Sequence, residues 1–165
     1  MEIDSLQKLY VDELKDIYSA EKQIIQALPR MAKKASNPQL RAAFEEHLEQ
    51  TKGQVERLDR IFERLERSPR GKKCKGMEGL LEEGKEMMQE DMEPEVMDAA
   101  LIAAAQKVEH YEIASYGTVR AYARILGEEA DARLLQQTLD EEGAADKKLT
   151  QLAESSVNVE AAAEV

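Results

Sequence analysis

Glu112 stands in the middle of an apolar helical stripe, a place where a carboxylate is tolerated only if something compensates its charge. Between Met97 and Leu126 the residues Leu101, Ala105, Val108, Ser115 and Val119 recur at helical spacing. At about 100° per residue Glu112 falls among them and Glu109 borders the same face. Near the N-terminus Leu14, Ile17, Tyr18, Ile25 and Leu28 form a second stripe centred on Glu21, and near the C-terminus Leu135, Thr138, Ala145 and Leu149 surround Glu142. A chain with three such helices must fold so that their apolar faces meet, which brings the carboxylates together. Burying an ionised carboxylate costs several kcal/mol or more unless it is paired or metal-bound. A cation resolves the conflict most simply. The alternatives are an internal Arg or Lys, carboxyls kept protonated by a raised pKa, or stripes rotated so that the glutamates reach solvent. For one glutamate a solvated face serves as well; three together favour a cation.

The remaining pattern is that of long helices in one domain. Ala, Glu, Leu and Lys are abundant, charged residues make up 35% and aromatics 4% of 165 residues, and no alternating strand-like run competes. Asp4 is expected to cap a first helix reaching about Ala35, bent at Pro29. Ser36-Asn37-Pro38 reads as a turn, with Asn37 able to cap and Pro38 suited to the first helical position. A second helix then runs to about Arg67, carrying Leu40, Phe44, Leu48, Val55, Leu58 and Phe62 inward. The connection from Ser68 to Glu95 is far longer than a helix hairpin needs, and it holds a basic tract and a short helix from Met77 to about Asp91. Such a crossover lets the second and third long helices run parallel, as in ferritin-like folds. The third helix spans about Glu95 to Leu126, Gly127 stops it, and the fourth runs from Glu128 to about Ser155. Residues 1–157 form the single expected domain, with 158–165 as a flexible C-terminal tail.

The net charge of −11 argues against a nucleic-acid surface, which needs clustered Lys and Arg. No apolar run of about 18 residues is present to cross a membrane, and the N-terminus lacks the pattern of a secretory signal. A cytoplasmic location is expected. Cys74 is the only cysteine, so an internal disulfide is ruled out. A spectator thiol in a loop is the expected role; activation by the flanking Lys73 and Lys75 is the alternative. Met77, Met87, Met88, Met92 and Met97 read as apolar filling around the crossover helix.

The two long hairpins resemble one another. The register that lays Glu21 on Glu112 lays Thr51 on Glu142 and Gln54 on Ala145, so the carboxylates fall in one layer. Carboxylate sites in four-helix bundles commonly take a glutamate from each of two helices and Glu-x-x-His from the other two. Here Glu109 and Glu112 supply a pair one turn apart, and Glu142 can be joined only by Asp146. His47, one turn before Thr51, is the best candidate on the second helix. The candidate metal ligands are therefore Glu21, His47, Glu109, Glu112, Glu142 and Asp146, a donor set suited to iron or manganese. Glu49 faces solvent, and His110 is structural or interfacial. Tyr18, Tyr111 and Tyr116 read as amphipathic core residues whose hydroxyls need partners; Tyr18 or Tyr111 is the candidate to orient a small oxidant.

Three segments carry a resemblance: Ile17-Tyr18-Ser19-Ala20-Glu21-Lys22-Gln23, the run from Ala99 to Thr118 that includes Glu109-His110-Tyr111-Glu112, and Thr138-Leu139-Asp140-Glu141-Glu142. They resemble the bacterial YciF-like stress proteins, a ferritin-like family, from about Leu6 to Leu152. The resemblance implies a rubrerythrin-like four-helix bundle with an additional short helix, dimerisation, and a di-iron or related metal site. Where some relatives carry a His after the acidic residue of the second helix, this chain has Lys52, which leaves the implied dinuclear site short of a ligand. The leading expectation is a stress-associated metalloprotein handling peroxide or dioxygen. The competing one is a non-enzymatic homodimeric helical protein with a degenerate site, for which Thr51, Gln54 and Ala145 speak.

Overall fold

In a computed structural model, residues 2–164 are described. They form the expected all-α bundle: α1 Leu6–Lys34, α2 Pro38–Leu65, α3 Lys75–Met88, α4 Pro94–Ile125 and α5 Glu129–Leu152. No strand occurs among the described residues, and none of these helices is long and apolar enough to cross a membrane. The cap of α1 is Ser5, whose Oγ accepts from Lys8 N at 3.2 Å, while Asp4 pairs with Lys8 Nζ. The helix runs uninterrupted through Pro29, whose ring sits on the exposed face. Asn37 caps α2 as expected, its Oδ1 accepting from Gln39 N and Leu40 N.

The order of the long helices follows from contacts at their ends. Both carboxylate oxygens of Asp98, near the start of α4, accept from Ser36 N and Asn37 N at 2.8 and 2.9 Å, tying the starts of α2 and α4 to the same end. They run parallel and lie diagonally, and the crossover carrying α3 joins them. Helix α5 lies antiparallel to both α2 and α4. Gly127 makes the last reversal tight: its φ of +77° allows Glu128 N to reach Ala123 O and Gly127 N to reach Arg124 O, the paired bonds of a Schellman motif.

Beyond α5 the chain departs from expectation. Ala153–Val157 form a π-helical turn with Val157 buried, and α6 follows at Asn158–Ala162 against α4. A frayed tail is expected from Asn158 onward because of its terminal position; residues 158–162 are instead helical, following Val157, which is 1% exposed.

Cys74 also differs from the spectator expected of it. It is fully buried, serves as the cap of α3, and lies 3.1 Å from Tyr111 Oη and 3.3 Å from Asp16 Oδ2. Burial pushes its thiol upward, opposing any activation by the neighbouring lysines. Tyr111 Oη also donates to Asp16 at 3.2 Å. The aromatic ring is pressed onto the start of α3, where a Cβ at Gly76 would lie 2.6 Å from Tyr111 Cε2. Gly76→Ala is therefore expected to destabilise the protein by about 1–3 kcal/mol, the usual cost of overpacking. Urea denaturation checks this, and an unchanged midpoint would show that the Tyr111 ring yields freely.

The apolar core is divided. One cluster, including Ile24, Leu28, Phe44, Leu101 and Leu149, fills the end where α2 and α4 begin. The other, including Tyr10, Leu14, Leu58, Tyr116 and Leu135, fills the opposite end. Ile24 rather than Ile25 completes the inward face of α1, and Tyr116 rather than Ser115 that of α4. Between the clusters lies a layer of buried polar side chains.

Candidate metal centre

Four ligand atoms, one each from His47 on α2, Glu109 and Glu112 on α4, and Glu142 on α5, lie within 4.8 Å of one another. All four residues are buried. Glu109 and Glu112 share a face because three residues turn a helix by about 300°, and the parallel course of α2 and α4 brings His47 across the bundle to meet them. Glu21 joins from α1 at 0% exposure, with Oε2 accepting from Tyr116 Oη at 3.1 Å.

The polar atoms of this layer are left without partners. Both oxygens of Glu112, both of Glu142, Oε2 of Glu109, Oε1 of Glu21 and both ring nitrogens of His47 are buried with no hydrogen bond. His47 Nε2 lies 2.8 Å from Glu109 Oε1, yet off the line of a ring N–H. In native proteins nearly all such buried groups are satisfied, so a concentration of exceptions calls for a ligand or ion.

Electrostatics point the same way. Burial, reinforced by repulsion from Glu142 and Glu21, pushes Glu112 well above the ordinary carboxylate range. Glu142 is raised well above it too, first by burial and then by Glu109. Burial also lifts Glu21 and Glu109 to about 7 each. Burial and mutual repulsion thus favour the protonated forms of these carboxyls, whose protons a bound cation would displace.

The internal arginine weighed in the sequence exists but is otherwise engaged. Arg57 donates to both oxygens of Glu141 at 2.7 and 2.8 Å and to Thr138 Oγ1 at 3.0 Å. Burial pushes Glu141 up, but the hydrogen bonds from Arg57 and Gln54 outweigh it and hold it below the usual range. Gln54 is fully buried and gives Nε2 to Glu141 at 3.2 Å; Thr51 gives its hydroxyl to His47 O at 2.7 Å.

Of the six candidate ligands, His47, Glu109, Glu112 and Glu142 converge, and Glu21 adjoins them. Asp146 lies apart, accepting from Gln106 Nε2 at 3.4 Å and standing 3.2 Å from Nε2 of the exposed His110. The tyrosine expectation needs correction. Tyr111 is turned to Asp16 and Cys74, and Tyr18 packs edge-on against Phe62. Tyr116 is the one that touches the carboxylates. Its position one turn after Glu112, on the same helical face, is the signal that distinguishes it from Tyr111.

The sequence matches the family described as Domain of unknown function (DUF892) over residues 5–162. It is 49% identical over 166 residues to Protein YciF of Escherichia coli strain K12, covering 98% of each chain. The crystal structure of that stress protein superposes with a TM-score of 0.91, covering 94% of this chain and 99% of the other. A Rhodopseudomonas palustris protein called YcfI, proposed to be structural, is 44% identical with a TM-score of 0.88, covering 90% of this chain and 95% of its own.

Proposed function

The chain belongs to the DUF892 family, and we propose that it is a stress-associated, cytoplasmic metalloprotein whose His47, Glu109, Glu112 and Glu142 hold iron or manganese. Glu21 stands ready as a further ligand beside Glu112. The observation that carries this reading is the convergence of four ligand atoms from side chains most of whose buried oxygens and nitrogens have no hydrogen bond while the carboxyls are ionised. The donor set of carboxylate oxygen and imidazole nitrogen suits these two metals. When bound, such an ion would supply electrons to a small oxidant such as peroxide or dioxygen and be oxidised itself.

The residues define the rest of the chemistry. His47 offers a ring nitrogen, and the glutamates, whose burial favours their protonated forms, would become fully ionised only as an ion displaced their protons, so loading would release acid. Tyr116 Oη holds Glu21 by one oxygen and leaves the other free. The Arg57–Glu141 pair, flanked by Gln54, stiffens α2 against α5 beside Glu142. The apolar clusters on either side exclude bulk water.

Metal content per chain, measured after anaerobic loading with ferrous or manganous ion, tests the reading. At least one ion per chain is expected in the wild type and none in Glu112→Ala. A wild type with neither bound metal nor any metal-induced rise in melting temperature would reject it, since a ligand that binds only the folded state must stabilise that state. That result would favour the second reading, a non-enzymatic homodimeric helical protein with a degenerate site. Thr51, Gln54 and Ala145 at positions where ligands would be placed support this alternative, as Gln54 is committed to Glu141. Mass measurement in solution checks the dimer in either case.

A further inference from the structure

We propose that the cavity beside His47 and Glu109 is a binding site for one small, uncharged, apolar molecule, between xenon and benzene in size. The cavity measures about 100 Å³, and Ile24, Leu28, Met31, Phe44, Leu81 and Val108 wall it from four helices. Enclosed apolar cavities on the order of 150 Å³ lined by such side chains take up benzene or xenon, because water inside them finds too few hydrogen bonds; this one shares those walls but opens past Glu46, Gln50 and Lys148. At one side are His47 and Glu109; His47 is only 7% exposed, with Nε2 2.8 Å from Glu109 Oε1 and no hydrogen bond at Nδ1. At the rim Glu46 and Lys148, each about half exposed, pair at 2.8 Å between α2 and α5.

Small residues make the room. Ala43, Ala105 and Ala145 also line the cavity. Ala145 lies three residues after Glu142, where carboxylate sites of helix bundles commonly place a histidine; with a methyl group there, the space that a ring would fill stays open. The walls favour solutes that carry no hydration shell, because stripping a polar group of water without replacing its hydrogen bonds costs roughly 2–7 kcal/mol. A hydrocarbon or dioxygen therefore enters more readily than hydrogen peroxide. Binding in the cavity needs no metal, but its use as a supply route to the cluster rests on the function proposed above.

Methyl NMR of the full metal-free chain, titrated with benzene and separately pressurised with xenon, tests the site. Saturable shifts are expected at the methyls of Ile24, Leu28, Leu81, Val108 and Leu149, with none from benzoate, and they should vanish in the cavity-filling variants Ala105→Leu and Ala145→Leu. Ala105 is 6% exposed, so Ala145→Leu, at a half-buried position, carries the test if the other variant misfolds. An absence of saturable shifts, equal shifts with benzoate, or shifts that survive in folded filled variants would overturn the site. Manganese added to the same sample separates the two readings. Benzene binding without manganese binding keeps the cavity site and rejects the metal centre; manganese binding without benzene binding does the reverse.

Discussion

Stripped of metal, the protein is expected to lose stability as the pH rises from about 5 to 8, the opposite of the usual response of a protein rich in ionised, paired carboxylates. The sign follows from where protons reside. Glu21 and Glu109 hold theirs to about 7 in the fold because burial penalises the charged forms, against 4.5 in the open chain. Glu112 and Glu142 are raised further. Between these limits the folded state binds more protons than the unfolded one, so each increment of pH favours unfolding. One pKa unit is worth about 1.4 kcal/mol, so even one such carboxyl costs the metal-free fold on the order of 3 kcal/mol once the pH exceeds both values. For a chain of this size that is a fall of roughly 10 °C in melting temperature. The net charge of −11 adds self-repulsion of the same sign. The contribution of the cluster is therefore the difference between wild type and the double variant Glu109→Gln/Glu142→Gln, whose melting temperature should fall less over the same range. Parallel pH profiles of the two proteins would refute the account.

Manganese added at pH 8 should recover much of that loss in the wild type and little in the variant. Loading and proton release are coupled, so the metal that favours ionisation also removes its cost. Arg57 gives both ends of its guanidinium to Glu141 and Thr138, which is why it does not relieve the cluster. A scaffold that had simply kept buried glutamates as protonated packing groups would show the pH response without recovery by metal.

Much of this centre is legible in sequence because a long amphipathic helix has one inward face, and a glutamate inside it identifies itself. Glu21, Glu112 and Glu142 are found that way, and Glu109 follows from its spacing to Glu112. His47 stands at the edge of its stripe, and only the parallel, diagonal placement of α2 and α4 carries it to Glu109. Asp146 shows the limit of the method: one turn from Glu142 it has the right spacing, yet it is drawn to Gln106 and His110. Helical period specifies which face points inward but not which neighbour meets it. Tyr116 bonded to Glu21, Arg57 to Glu141 and Asp98 to the α1–α2 turn all join residues far apart in sequence, and no local pattern encodes these pairings. The same holds for Cys74, expected as a spectator loop thiol with activation by its flanking lysines as the alternative, and found instead against Asp16 and Tyr111 on two other helices.

Asp131→Ala is expected to cost about 1–3 kcal/mol, although it lies in the first turn of α5, where an acidic residue usually serves only the helix dipole. Its carboxylate is completely buried and accepts from Tyr10 Oη at 3.1 Å while pairing with Arg64 NH2 at 2.8 Å. Burial raises its pKa and the Arg64 charge and Tyr10 hydroxyl only partly offset this, so the pair is not a large gain over an apolar contact. The expected loss arises from what the substitution leaves behind. Tyr10 is 0% exposed, and its hydroxyl would be stranded without a partner at a cost of about 1–3 kcal/mol. A cavity would form at the junction of α1, α2 and α5, and the half-exposed Arg64 would lose its ion pair across that junction. Asp131→Asn retains an acceptor for Tyr10 and should lose substantially less, whereas a loss that came only from the missing charge would make Asn and Ala equal. Urea denaturation of the metal-free proteins at one pH distinguishes these outcomes. Because Asp131 belongs to the apolar half beyond the carboxylate layer, metal content in Asp131→Ala should stay at the wild-type level under conditions where the variant is folded, which separates a clamp on the bundle from a part of its centre.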